Sequence, residues 1–301
     1  MILLVVIKLH HKITKAYLNR AVQKFTLIDV QQARKNFDAA SSNKLKLRIK
    51  SVKDISCSSR IKLRYYRNNL SSIKLPVVVY FHGGGFALGS INSHDSVCRY
   101  IAKFASCVVL SVEYSLAPES AYPIPVEQGL EVLRWLEDNQ LDDVDTSNIF
   151  LAGDSAGGNI ALAMGISPEL SSKLSGLVLI YPALDPRLAT RSMEQYATGH
   201  FLTKQMLAEF WDLYLGNTDT YALPSTAELK LLPPVLVIAA EKDVLKDEGL
   251  ELVYKLRTAG VKVDYECYSD MLHGFVQFPR IASKKKQAFQ QIARFVSTHS
   301  I

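Results

Sequence analysis

Continuous apolar segments alternate with helical patterns along most of this chain, and this alternation limits the fold more than any other feature. Residues 76–81 and 107–112 are apolar almost throughout, which is typical of strands buried on both faces of a parallel sheet. Apolar residues at helical spacing separate the two segments, at 93–105. Because a helix between parallel strands packs back onto the sheet, the sequence predicts an α/β fold. We expect a mostly parallel central sheet flanked by helices.

The same alternation continues to the end of the chain. Further strands are predicted at 148–151, 177–179, 235–239 and 261–268, and helices at 126–139, after Ser155, at 246–259 and at 283–298. Two segments with alternating apolar and polar residues, 45–49 and 61–65, precede the first buried strand at 76–81. They predict half-buried antiparallel strands at the start of the sheet.

Two intervals fall outside this alternation. Residues 1–42 begin with an apolar stretch too short to cross a bilayer and continue with apolar residues at helical spacing. Residues 185–232 lie between two strands and carry aromatic residues at helical spacing, a pattern found in cores as well as in caps. We predict helical caps at 1–42 and 185–232, and an α/β core in two parts, 43–184 and 233–301.

Composition excludes several functional classes. The net charge of +6 comes from 35 basic and 29 acidic residues, spread along the chain without a nucleic-acid-binding motif. We therefore predict no nucleic-acid partner, and at most weak contact between the apolar N-terminus and a membrane. The four cysteines lack metal-ligand spacing, which predicts reduced thiols, a cytoplasmic protein and no metal site. We expect a monomer or a homodimer.

A serine lies between two glycines at 153–157, directly after an apolar segment and before a helical one. This arrangement is typical of a nucleophile elbow, where a sharp strand-to-helix turn exposes the serine Oγ. Glycines are needed beside Ser155 because the strand and helix backbones approach closely. A loop rich in serine and glycine can match the same pattern by chance, so the residues around the motif must decide.

A glycine-rich segment follows the predicted strand 76–81. Consecutive glycines at 83–85 let backbone N–H groups turn inward toward a developing oxyanion, and Ala156, just after Ser155, would give a further N–H. A flexible glycine loop is the alternative. The position after a buried strand and upstream of the elbow favours the functional interpretation.

Acid and base candidates follow the last two strands. Asp243 comes directly after the strand 235–239, while its rivals Asp247 and Glu248 fall in the first helical turn, where acidic residues are common for other reasons. His273 lies in the loop after the last strand. Serine, acid and histidine then occur in the order that an α/β-hydrolase uses.

Taken together, these motifs resemble those of the hormone-sensitive-lipase family of α/β-hydrolases, in the branch of bacterial-type esterases with a GDSAG elbow. The similarity extends from residue 76 to residue 278. In chain order, the motifs that carry it are HGGGF at 82–86, EYSLAPE at 113–119, GDSAGGN at 153–159, YPALDP at 181–186, DVLKDEG at 243–249 and HGF at 273–275.

The resemblance implies an α/β-hydrolase fold and hydrolysis of carboxylic esters without a metal or an organic cofactor. It implies that Ser155 is the nucleophile, Asp243 the acid and His273 the base. It further assigns Gly83, Gly84, Gly85 and Ala156 to the oxyanion hole, and Phe86, Phe201 and Leu202 to the substrate pocket. Ser115 stands where the family usually has arginine, which puts a local structural contact in doubt.

We therefore predict a serine carboxylesterase that cleaves short- to medium-chain acyl esters of small molecules through an acyl-enzyme. The same triad would also serve a lipase acting on lipid esters at an interface, or an amidase. A ligand-binding module that has kept the fold is a further alternative. Such modules lose a triad residue, whereas this chain keeps all three.

Overall fold

The central element is a single β-sheet. The computed structural model describes residues 29–42, 46–69, 73–139, 141–216, 226–277 and 284–300. Within these ranges eight strands pair in the order β1-β2-β4-β3-β5-β6-β7-β8. They are β1 (Ser51–Ser56), β2 (Lys62–Arg67), β3 (Leu75–Phe81), β4 (Val108–Glu113), β5 (Val144–Asp154), β6 (Leu174–Ile180), β7 (Val235–Lys242) and β8 (Val263–Leu272). Strand β2 is antiparallel to both neighbours and the other neighbouring pairs are parallel, so the predicted α/β fold is confirmed.

Helices cover both faces of the sheet. They are α1 (Val30–Ser42), α2 (Asp95–Phe104), α3 (Ile124–Asn139), α4 (Ala156–Gly165), α5 (Pro168–Ser171), α6 (Arg191–Gln195), α7 (Lys204–Leu215), α8 (Thr226–Leu229), α9 (Lys246–Thr258) and α10 (Lys285–His299). Helices α3, α4 and α9 pack on one face of the sheet, and α2 and α10 on the other. Successive side chains of β3, such as Val77 and Val78, point into the two opposite cores, which explains why this strand is apolar at consecutive positions.

The predicted strand at 45–49 is wrong. Residues 46–49 lie outside any strand, and the first strand is β1 at Ser51–Ser56. This edge strand is mostly exposed or half-buried and therefore lacks a regular apolar alternation. The prediction at 61–65 corresponds to β2, whose interior side chains are buried.

Two of the helices lie over the carboxyl edge of the sheet. Helix α7, within the interval 185–232, buries Phe210 and Trp211 in a third apolar cluster, which also contains Phe86 and Ala156 from the core. Helix α1 contributes Ala33 to the same cluster. Residues 1–28, which include the apolar stretch of the predicted membrane contact, and residues 217–225 of the predicted cap lie outside the described residues.

The carboxyl ends of the parallel strands β3, β5, β7 and β8 meet at one edge of the sheet, where such folds place their ligands. Each strand is followed at this edge by one of the motifs found in the sequence. No helix among the described residues is both long enough and apolar enough to cross a lipid bilayer.

Candidate active site

Ser155 lies at a sharp turn between β5 and α4. Its backbone has φ 54° and ψ −120°, a conformation that is strained for a residue with a Cβ. Surrounding hydrogen bonds hold it there, because the Ser155 N–H donates to the carbonyl of Ile180 (2.9 Å) and the Ser155 carbonyl accepts from the Ala183 N–H (3.2 Å). A Cβ at Gly157 would lie 2.0 Å from the backbone oxygen of Phe81. The turn therefore requires glycine at this position, as the sequence motif indicates.

Three side chains from three strand ends form a hydrogen-bonded chain. His273 Nε2 lies 2.9 Å from Ser155 Oγ, and His273 Nδ1 lies 2.7 Å from Asp243 Oδ2. All three residues are buried, with Asp243 only 1% exposed. When Nδ1 donates to the carboxylate, Nε2 is left as the acceptor for the serine hydroxyl. This is the arrangement that a serine needs for activation by a general base.

The two rival acids have other partners. Asp247 Oδ2 accepts a hydrogen bond from the Ser192 N–H (2.8 Å). Glu248 Oε2 accepts from the backbone N–H groups of Leu184 (2.7 Å) and Asp185. The structure thus brings Asp243, and neither of its rivals, within hydrogen-bond distance of the imidazole.

The glycine loop (residues 82–89) faces Ser155. Gly84 and Gly85 have φ values of 130° and 61°, and a Cβ on Gly85 would lie 2.2 Å from the ring of Phe210. Among the described residues, the N–H groups of Gly84, Gly85 and Ala156 have no protein acceptor. The Gly83 N–H, in contrast, donates to Asp154 Oδ1 (2.9 Å). Gly83 therefore shapes the loop, while the other three groups are available to an oxyanion.

A buried polar cluster around Asp154 holds the glycine loop in place. Asp154 Oδ1 accepts from the Tyr80 hydroxyl (2.5 Å), and Asp154 Oδ2 lies 3.4 Å from His94 Nε2. Burial alone would raise the pKa of Asp154, but the nearby His94 and these hydrogen bonds outweigh it and lower the pKa. Burial, with a smaller contribution from His94, lowers the pKa of His82 to about 3. His82 is therefore neutral and suited to a structural role in the loop.

An apolar cavity opens beside Ser155 and holds about 700 Å³ of space, including its mouth. The predicted pocket residues Phe86, Phe201 and Leu202 line it. Phe86 is fully buried and stacks on Tyr214 with ring centroids 3.7 Å apart. Such a cavity can hold the acyl or alcohol chain of an ester.

Sequence reasoning missed several lining residues, which are Phe37 from α1, His94, Phe210 from α7, and Gln277 from the turn after His273. Phe210 belongs to the aromatic pattern within 185–232, so the sequence held a signal for it. His94 and Gln277 stand in no motif that marks them as pocket residues. No group of three or more potential metal ligands occurs among the residues that the structure describes.

Comparisons with known proteins agree with this geometry. Residues 78–277 match a family model described as alpha/beta hydrolase fold. Carboxylesterase NlhH of Mycobacterium tuberculosis is 35% identical over 76% of this chain and 75% of its own. A hyperthermophilic esterase from the archaeon Pyrobaculum calidifontis is 36% identical, with a TM-score of 0.85 over 95% of this chain and 97% of its own. An esterase from the bacterial hormone-sensitive lipase family has 25% identity and the same TM-score, over 96% and 98% of the two chains.

This chain belongs to the hormone-sensitive-lipase family of α/β-hydrolases. The predicted family is confirmed, and so is the prediction of an esterase-type hydrolase. At the departure from the family pattern, Ser115 is hydrogen-bonded to Gln128. The Ser115 N–H donates to Gln128 Oε1 (2.7 Å), and Gln128 Nε2 donates to Ser115 Oγ (2.8 Å). The loop after β4 is thus held by a paired serine and glutamine.

Proposed function

We propose that this hydrolase is a serine carboxylesterase in which Ser155, His273 and Asp243 form the catalytic triad. The observation that carries the proposal is the continuous hydrogen-bonded chain from Asp243 through His273 to Ser155 Oγ. Two further observations support the proposal. The three residues lie at the carboxyl edge of the sheet, and proteins similar to this chain are esterases. The substrates are small-molecule acyl esters.

In the first step, His273 removes the proton from Ser155 Oγ as the oxygen attacks the ester carbonyl. Asp243 keeps the imidazole oriented and stabilises its positive charge. The N–H groups of Gly84, Gly85 and Ala156 donate to the oxyanion. Because each such donor contributes about 100- to 1000-fold to the rate, the geometry of the glycine loop is part of the chemistry.

In the second step, His273 gives its proton to the leaving alcohol, and the acyl group remains on Ser155. Water then attacks the acyl-enzyme with His273 again acting as the base, which releases the carboxylic acid and restores the serine. Both steps use the same oxyanion site, so one arrangement of donors serves the whole cycle.

Short- to medium-chain acyl groups fit the cavity best. Its walls are rings of Phe86 and Phe210 and the side chain of Leu202, and all three are nearly or fully buried. These apolar groups offer contact to a short or medium acyl chain along its length. The cysteines support a cytoplasmic location, because Cys98 and Cys107 are fully buried free thiols. A monomer or homodimer remains our expectation.

A serine substitution tests the proposal directly. Ser155→Ala should abolish cleavage of p-nitrophenyl butyrate and labelling by a fluorophosphonate probe, whereas Ser172→Ala, at an exposed serine, should retain both. Activity of Ser155→Ala close to that of the wild type would contradict the assignment. A series of p-nitrophenyl esters from acetate to palmitate should show the highest kcat/KM at the short to medium lengths. A maximum at palmitate would instead favour a lipase.

A further inference from the structure

An amide nitrogen in the lining of the cavity has no hydrogen-bond partner among the described residues. Gln277 lies in the turn that follows His273, where its N–H donates to the carbonyl of Gly274 (2.9 Å). Its side chain lines the same cavity as Ser155, and the residue is only 5% exposed. Gln277 Nε2 is fully buried and has no hydrogen-bond acceptor among the described residues.

A buried amide without a partner is unusual, because its desolvation is not compensated. The chain satisfies a comparable amide elsewhere, since Gln128 is hydrogen-bonded through both its oxygen and its nitrogen. The lining of the cavity consists mainly of apolar groups, with side chains such as those of Leu202 and Met206. In ligand cavities of this kind, a few polar groups fix the orientation of the ligand.

We propose that Gln277 determines substrate specificity by donating a hydrogen bond to a second oxygen of the ester, one outside the scissile group. This inference rests on the proposed function of the site. The preferred substrates are therefore esters with an additional ether, hydroxyl or carbonyl oxygen in the acyl or the alcohol part.

Charge makes a neutral substrate the better fit. The described lining of the cavity contains no lysine or arginine. A substrate with its own carboxylate would therefore lie in this apolar cavity without either of these cations to pair with. A neutral oxygen acceptor, in contrast, satisfies the amide and adds no charge to the cavity.

Matched ester pairs isolate the effect of one oxygen. In the acyl arm, p-nitrophenyl methoxyacetate is compared with p-nitrophenyl butyrate, which has CH2 in place of the ether oxygen. In the alcohol arm, 2-methoxyethyl butyrate is compared with n-butyl butyrate. The quantity measured is the kcat/KM ratio within each pair, for the wild type, Gln277→Leu, Gln277→Met and the control Gln205→Leu, at an exposed residue of α7. Intrinsic reactivity of the esters cancels when ratios are compared between proteins.

Loss of the donor should lower the oxygen-to-carbon ratio about five- to tenfold in at least one arm, for both Gln277 variants. The arm that responds shows which side of the ester Gln277 contacts. Gln205→Leu should leave both ratios unchanged. If Gln277→Leu does not fold, Gln277→Met, an unbranched side chain of similar length without a donor, still decides. Unchanged ratios in both arms would overturn this inference while leaving the esterase function in place. Failure of the wild type to cleave any of these esters would overturn the proposed function, and this inference with it.

Discussion

Glu248 is a buried acid outside the proposed triad, and replacing it tests how burial changes the ionisation of a carboxyl group. The residue is 2% exposed, and its Oε1 has no hydrogen-bond partner within the described part of the chain. Burial raises the pKa of Glu248 from 4.5 to about 8, with smaller contributions from the charges of Asp185 and Asp243. Folded protein therefore carries Glu248 protonated at neutral pH. We predict that Glu248→Gln makes the protein more stable at alkaline pH than the wild type.

The size of the effect follows from the two pKa values. In the unfolded chain Glu248 ionises above pH 4.5, while in the folded protein it ionises only above about pH 8. Between these values the unfolded state binds fewer protons, so the free energy of unfolding falls by about 1.4 kcal/mol per pH unit as pH rises. Summed from about pH 5 to about pH 8, this group lowers stability by roughly 3 to 4 kcal/mol. Glutamine accepts the same backbone hydrogen bonds and does not ionise, so it removes this dependence.

Urea denaturation of the wild type and Glu248→Gln at several pH values measures the difference. The stability gap between the two proteins should grow in favour of the variant as pH rises through this window. Glu251→Gln is the matched control, because Glu251 lies on the same helix but is exposed, and its gap to the wild type should stay constant. Parallel pH curves for the wild type and Glu248→Gln would refute the reasoning, since Glu248 would then ionise alike in both states.

Three further predictions concern the site. Gly85→Ala places a methyl group 2.2 Å from the ring of Phe210 at positive φ and should lower kcat at least tenfold; adding Phe210→Ala should restore part of it. Arg34→Ala removes hydrogen bonds to the carbonyls of Ala87 and Ala117 that dock α1 beside the cavity. It should raise KM several-fold, and more than Glu119→Ala, because the Arg34–Glu119 ion pair is half-exposed and weak. Asp154→Ala removes the acceptor of the Gly83 N–H and should lower kcat about tenfold or more with a smaller change in KM, whereas Asp154→Asn retains more activity.

Steady-state kinetics on p-nitrophenyl butyrate, with circular dichroism as a folding control, measures all three. For the loop glycine, equal activities of the single and double variants would contradict a steric cause. An unchanged KM in Arg34→Ala would show that α1 does not shape the cavity. If Asp154→Ala and Asp154→Asn have the same kcat, then accepting the hydrogen bond from the Gly83 N–H is not what makes Asp154 important for activity.

Much of the architecture was predictable from local patterns. Strands such as β3 are buried on both faces, so their apolar residues are consecutive and easily recognised. The glycine loop and Asp243 come directly after the ends of strands β3 and β7, so the predicted strands locate them. The turn at Ser155 requires glycine at position 157, because a Cβ there would clash with the backbone. The edge strand β1 was misplaced because its exposed side chains leave little apolar signal.

The sequence by itself determined the fold class, the family and the order of the residues proposed for catalysis, because each of these depends on short segments with strict local requirements. Tertiary structure alone decided what surrounds them. Helices distant along the chain bring Phe37 and Phe210 to one cavity. The turn after β8 leaves Gln277 Nε2 buried with no hydrogen-bond partner in the described part of the chain. Glu248 shares a first helical turn with Asp247, yet only packing against residues 184–185 buries it. Burial and unpaired hydrogen-bonding groups arise from contacts between distant segments, which no local pattern encodes.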